Sequence, residues 1–288
     1  MHFRSVGFVV FCRICLHKND KEPLYNPTMI KLLDYIPREY LALKINYCRQ
    51  QLKLLPNTKM QIHKVSGIPT ERLFVGNHRY NPNSPTGQKY MSVFKQRDEL
   101  ERQLRVYLSI WDYYFKDEPL PECEPHPVNR TLCIDAHNRV IMNRAYFDSL
   151  ENDANKKYPK PKDYPFNGIY YRSSAEREIA IFYTEMGIPF KYEPAILIKD
   201  ITTFSFPDFV LYIPELDNCK IHEHFGMKDS ASYLKITKNK YYNYTNAGLV
   251  PELDIIFTHD VEEVPFDIRY AAAKLNTAIY GTMIATNL

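Results

Sequence analysis

No second Cys-x-x-Cys accompanies the one at Cys12 and Cys15, and neither an internal repeat nor a low-complexity tract runs through the chain. The six cysteines, Cys12, Cys15, Cys48, Cys123, Cys133 and Cys219, are scattered. That scatter argues for a reduced intracellular protein, expected to be cytoplasmic. With His17, Cys12 and Cys15 supply half a zinc knuckle, short of a closed structural site. An excess of charge is missing too: 37 Lys and Arg against 34 Asp and Glu leave a net +3, which alone points to no nucleic-acid partner. Nor is there a long apolar run. Phe3–Leu16 is interrupted by Arg4 and Arg13 and falls short of the roughly 20 residues that span a bilayer. It lacks a small-residue cleavage site, so residues 1–28 read as an extension, with a weak signal peptide as the alternative. No membrane partner is expected, and oligomeric state leaves no signature.

The 288 residues leave room for one large or two modest domains. Ile30–Leu55 reads as helical, Met60–Pro85 as short strand-like pieces and turns, and Lys89–Phe115 as the strongest helix, with Leu100, Leu104, Leu108 and Trp111 on one side. Asp117–Pro127 is acidic and proline-rich, hence a linker, and the prolines of residues 158–165 mark a second boundary. Residues 29–157 are therefore expected to form a mainly helical accessory region and residues 166–288 a separate α/β domain. The 23 Tyr and 16 Phe, with basic clusters at Lys156–Lys157, Lys160–Lys162 and Lys235–Lys240, are of the kind that stack on bases and pair with phosphates.

Three short stretches of the C-terminal half carry chemistry. Ser173-Ser174-Ala175-Glu176 opens an amphipathic helix, with Ser173 or Ser174 as N-cap, Ile179, Ala180, Phe182, Tyr183 and Met186 as its buried stripe, and Gly187 as its stop. Glu176 shares a face with Ile179, Ala180 and Tyr183 and should point toward a sheet; the plainer alternative is a capping box with Ser173. Ser205–Ile213 reads as a strand carrying Pro207-Asp208, Leu216–Asn218 as a turn, and Cys219–Phe225 as a second strand carrying Glu223. Alternation puts Asp208 with Val210 and Tyr212, and Glu223 with Ile221 and Phe225, so a site forms if those two faces coincide. His222 and His224 point the other way, which disfavours a zinc site built from His222, Glu223 and His224. A helix to about Ala247 follows, with Gly248 as its stop, Tyr233, Lys240 and Tyr244 on one face and Lys235 and Lys238 elsewhere. Leu253–Thr258 is then a strand and Phe266–Ala285 a final helix.

These motifs resemble the PD-(D/E)XK, restriction-endonuclease-like nuclease superfamily, over Phe166–Asn287, about two fifths of the chain. The nearest likeness is to a bacterial group with Ser-x-x-Glu, Pro-Asp-Phe and Glu-His-x-Gly-Met motifs, and Gly187–Glu193 fits its link from helix to first strand. The resemblance implies a mixed central sheet flanked by helices. It also implies Glu176, Asp208 and Glu223 as ligands of Mg²⁺ or Mn²⁺, and hydrolysis of phosphodiester bonds, in DNA first. The chain departs from the family at Phe225, where the superfamily has its lysine. Lys240 is the candidate to supply that cation, while Ser173, His224, Tyr233 and Tyr244 are candidate substrate-contacting or supporting residues. A non-catalytic nucleic-acid-binding or scaffold protein keeping the nuclease fold is the rival reading, and the absent Glu-x-Lys lysine is what favours it.

Overall fold

The computed structural model describes residues 38–65, 68–226, 231–260 and 266–285. Cys12, Cys15, His17, Met227 and the N-terminal extension lie outside them, as does the side chain of Tyr233. The chain is mixed α/β, with six helices among the described residues. It divides into two compact units, Leu41–Pro125 and one that takes in everything from His126 onward.

Leu41–Pro125 holds most of α1 (Arg38–Leu54), the strands β1 (Thr58–Val65), β2 (Ile68–Val75) and β3 (His78–Tyr80), and α2 (Pro85–Tyr114). The strands form an antiparallel meander, with Thr58 opposite Val75 and Leu73 opposite Tyr80. Ser84 caps α2 by accepting from Gly87 N, and Pro85 occupies the first helical position, where a missing N–H costs nothing. Arg97 on α2 donates to the carbonyls of Leu52 and Leu55 and ties off the end of α1. The strand-like pieces are thus a true sheet, and this region is less purely helical than the long Lys89–Phe115 pattern implied.

The second unit starts earlier than the prolines of residues 158–165 indicated. β4 (Thr131–Cys133), β5 (Arg139–Ile141) and α3 (Arg144–Ser149) belong to it. Leu132, Met142, Phe147 and Leu150 share one core with Val210, Ile221, Tyr244 and Ile255. Cys219 N donates to Met142 O, and Arg130 makes a two-pronged pair with the buried Asp254. Proline density marked an irregular segment there, not a break between cores.

After the short hairpin β6 (Pro165–Phe166) and β7 (Ile169–Tyr170), the order is α4 (Ser174–Glu185), β8 (Phe190–Tyr192), β9 (Phe209–Ile213), β10 (Asn218–Phe225), α5 (Ala231–Asn246), β11 (Ile255–His259) and α6 (Ile268–Ala285). Four strands form one sheet in the order β11-β10-β9-β8. β8–β9 and β9–β10 are antiparallel, while β10–β11 is parallel, as a crossover through α5 allows. Every residue of β9 and β10 is buried, so both faces of the sheet are covered. Tyr183 of α4 and Thr282 of α6 reach the face bearing His222 and Lys220, and Tyr244 of α5 reaches the face bearing Glu223. Both α4 and α5 end as the glycines foretold: Gly187 (φ +65°) and Gly248 (φ +87°) turn the chain while the glycine's own amide and the next one bond back to the last helical turn.

Candidate active site

β9 begins at Phe209, so Asp208 sits just before the strand rather than within it. It is nevertheless held on both sides, through its backbone and through its side chain. Glu193 N donates to Asp208 O at 2.9 Å, and His224 N donates to Asp208 Oδ2 at 2.6 Å. Phe209 pairs with His222 and Val210 with Ile221, so the register carried one step further sets Asp208 opposite Glu223. Opposed residues of an antiparallel pair share a face. The two acidic faces therefore coincide, the condition that alternation alone left open.

Glu223 is fully buried. Two groups from α5 meet its carboxylate: Lys240 Nζ donates to Oε2 at 2.7 Å, and the Tyr244 hydroxyl donates to Oε1 in a short hydrogen bond. The four-residue spacing of Lys240 and Tyr244, one helical turn, is what lets both arrive together. Burial and the Glu223 charge push the Tyr244 hydroxyl well above the ordinary phenol range, so it stays a donor. Lys240 is one-third exposed and faces both the acid and solvent.

Glu176 enters from the N-terminus of α4. Ser173 caps the helix by accepting from Glu176 N at 3.1 Å, and its hydroxyl lies 3.3 Å from Glu176 Oε1. The capping contact is therefore present. The carboxylate is also buried and turned inward: its Oε2 accepts from Tyr192 OH at 2.6 Å and from Arg172 N at 3.2 Å. Glu193, itself buried, holds Arg172 (Nε 2.6 Å) and Lys160 (2.7 Å) behind this contact.

The charges converge on Asp208. Burial raises its carboxyl well above the usual aspartate range, Glu223 and then Glu176 raise it further, and Lys240 and the His224 amide oppose them. Glu176 is likewise raised, by burial first and also by Glu193, against hydrogen bonds from Tyr192 and Arg172. Two carboxyls kept from easy ionisation beside a third mark a place where positive charge is stabilising.

On the opposite face of β10, His222 and His224 meet at one hydroxyl. Thr258 Oγ1 lies 2.8 Å from His222 Nε2 and 3.0 Å from His224 Nδ1, and Tyr183 OH closes on His222 Nδ1 at 2.5 Å. Burial drives His222 down to about 3, so it is neutral. His224 is also lowered, by burial against Asp260, whose Oδ1 is 3.2 Å from Nε2. The imidazoles thus anchor the strand while the His224 amide positions Asp208. Phe225 stacks on Phe257 at 5.7 Å and on His259 at 5.4 Å and brings no charge.

Among the described residues, no group of three or more His, Cys, Asp or Glu side chains is arranged to hold a metal ion as it stands. The imidazoles and Glu223 face opposite ways, which disposes of a zinc site from those three. For Mg²⁺ the donor chemistry does fit: Asp208 and Glu223 face each other with oxygen donors alone. This ion is commonly held by one or two carboxylates, keeping several waters and substrate phosphate oxygens as its other ligands.

Sequence reasoning missed Tyr192, Arg172, Glu193 and Thr258. Tyr192 and Glu193 lie in the Gly187–Glu193 link, whose likeness to the bacterial group was the available signal. Nothing local in the sequence pointed to Arg172 or Thr258. Comparison with family models, with curated proteins and with solved structures found no match. Among the described residues no helix is long and apolar enough to cross a membrane.

Proposed function

We propose that this chain is a Mg²⁺- or Mn²⁺-dependent nuclease of the restriction-endonuclease-like kind, hydrolysing phosphodiester bonds and most suited to DNA. One observation carries the reading. Glu223 is buried in the middle of a sheet, opposite Asp208, with Lys240 and Tyr244 brought to it by the next helix. Burying a carboxylate is costly unless it is paired, and a fold with only structural needs has cheaper side chains for that position. The helix–three strands–helix–strand order from α4 to β11 is also what the sequence resemblance implies.

Asp208 and Glu223 would hold the cation together with Glu176, whose charge reaches Asp208. When bound, the ion would polarise the phosphate and lower the pKa of the attacking water. The chain's own groups do the rest. The His224 amide fixes one oxygen of Asp208, Tyr244 fixes one oxygen of Glu223, and Lys240 orients water and offsets charge gathering on the phosphate. Lys240 thus takes the task for which Phe225 has no chemistry.

The test is circular DNA, both duplex plasmid and single-stranded circle, incubated with the purified full-length protein in MgCl₂ or MnCl₂. Nicking that EDTA stops and Asp208→Asn abolishes is expected, and an Asp208→Asn protein with full activity refutes the assignment. The non-catalytic reading draws on Phe225, which brings no charge; it predicts binding to nucleic acid without cleavage under any metal.

A further inference from the structure

α5 joins basic charge to aromatic rings. Whereas the whole sequence nearly balances its charges, the 16 residues of Ala231–Asn246 carry three lysines, four tyrosines and no acid. The buried side of the helix supplies Lys240 and Tyr244 to Glu223. The remainder faces solvent: Lys235 and Lys238 are exposed, Ile236 is 54% exposed, Tyr241 47% and Tyr242 65%. Tyr241 leans on Phe257, with ring centroids 5.3 Å apart, so one ring is held in place and still presents an open face. Single exposed rings are ordinary on protein surfaces. Two adjacent ones beside lysines, on an acid-free helix that also reaches the acidic site, are a different composition.

We propose that the exposed side of α5 binds an unpaired strand of nucleic acid, making the substrate a single strand, flap or overhang rather than a blunt duplex. The substrate class rests on the nuclease reading above, while the binding surface stands by itself. Tyrosine stacks on a base only where the base has a bare π-face, and in a duplex neighbouring pairs cover both faces. Lysines alongside take the phosphates. Lys235 and Tyr242 are seven residues apart, about 10 Å along a helix rising about 1.5 Å per residue. That distance matches about three steps of a strand with bases stacked about 3.4 Å apart.

The experiment is fluorescence anisotropy of the full-length protein in EDTA. The probes are a labelled single strand of about 16 nucleotides and the blunt duplex of the same sequence. The single strand should bind about tenfold more tightly. Tyr241→Ala with Tyr242→Ala should weaken single-strand binding about tenfold or more while leaving duplex binding unchanged, and Tyr242→Trp should retain it. Lys235→Gln and Lys238→Gln should each flatten the salt dependence by about 0.7 in the log–log slope. Equal affinity for the two probes, tighter duplex binding, or no effect of the tyrosine changes overturns the proposal. Because no metal is present, the outcomes separate. Strand-selective binding without metal-dependent cleavage keeps this surface and removes the nuclease; cleavage with inert tyrosines does the reverse.

Discussion

Replacing Asp208 by Asn should make the metal-free protein more stable. The register sets Asp208 opposite Glu223, and opposed side chains in an antiparallel pair have Cβ atoms about 5 Å apart. Two like charges at about 5–6 Å repel by roughly 3 kcal/mol at an effective dielectric near 20. Lys240, at 2.7 Å from Glu223, and the His224 amide on Asp208 Oδ2 cancel much of this, which leaves on the order of 1 kcal/mol. Asn keeps an oxygen for the His224 amide, so the hydrogen bond to Oδ2 survives the change. The sign with pH follows from the direction of the shift. A carboxyl raised above its ordinary value of 3.8 binds more protons in the folded state than in the unfolded one, so stability falls as pH rises from there to the raised value. The variant should therefore melt roughly 2–4 °C above wild type at pH 8 in EDTA. That advantage should fade on acidification and be gone by about pH 4, near the ordinary aspartate pKa. Adding Mg²⁺ should reverse the order, because a ligand at about 100 times its Kd stabilises wild type by about 2.7 kcal/mol and the variant loses its binding. Thermal denaturation followed by circular dichroism, at both pH values with and without Mg²⁺, reads all of this. A variant less stable than wild type at pH 8 in EDTA, or an advantage independent of pH, refutes the reasoning.

Lys240→Met should lower the cleavage rate by about 10²-fold or more at saturating DNA, the usual scale of a lost proton-transfer or charge-balancing group, with little change in affinity. Lys235→Met and Lys238→Met should do the opposite, and equal small effects at all three would return Lys240 to the ordinary surface lysines. Thr258→Val leaves two buried imidazole nitrogens without their shared partner and should destabilise the protein by about 3 kcal/mol in urea unfolding. A loss below about 0.5 kcal/mol would mean that the hydroxyl does not hold the strand.

Local rules reached far into this site. Ser173 as cap, Gly187 and Gly248 as stops, and the shared face of Lys240 and Tyr244 all follow from helix geometry within a few residues. The β9–β10 hairpin was also legible, because its aromatic and β-branched runs are separated by a short turn. What local rules lack is register between distant strands. Tyr192 meets Glu176 only because β8 pairs beside β9, and Thr258 joins His222 to His224 only because β11 lies parallel to β10. The start of the second unit was misread for a related reason. Arg130 and Asp254 are 124 residues apart in sequence, and no window of local composition contains both.

The way Asp208 is held also bears on how the chain folds. Its carbonyl is fixed by Glu193 beside β8 and its side chain by the amide of His224 in β10, while Glu223 waits for a helix that begins after β10 ends. No two of these elements suffice. The arrangement around the two acids is therefore complete only when β8, β9, β10 and α5 have all docked, after the loop-closure entropy of these non-local contacts has been met. A chain still emerging during synthesis can pair β9 with β10 but lacks the Lys240 and Tyr244 contacts to Glu223 until α5 follows. On the nuclease reading proposed above, the chain would be inert until it is whole.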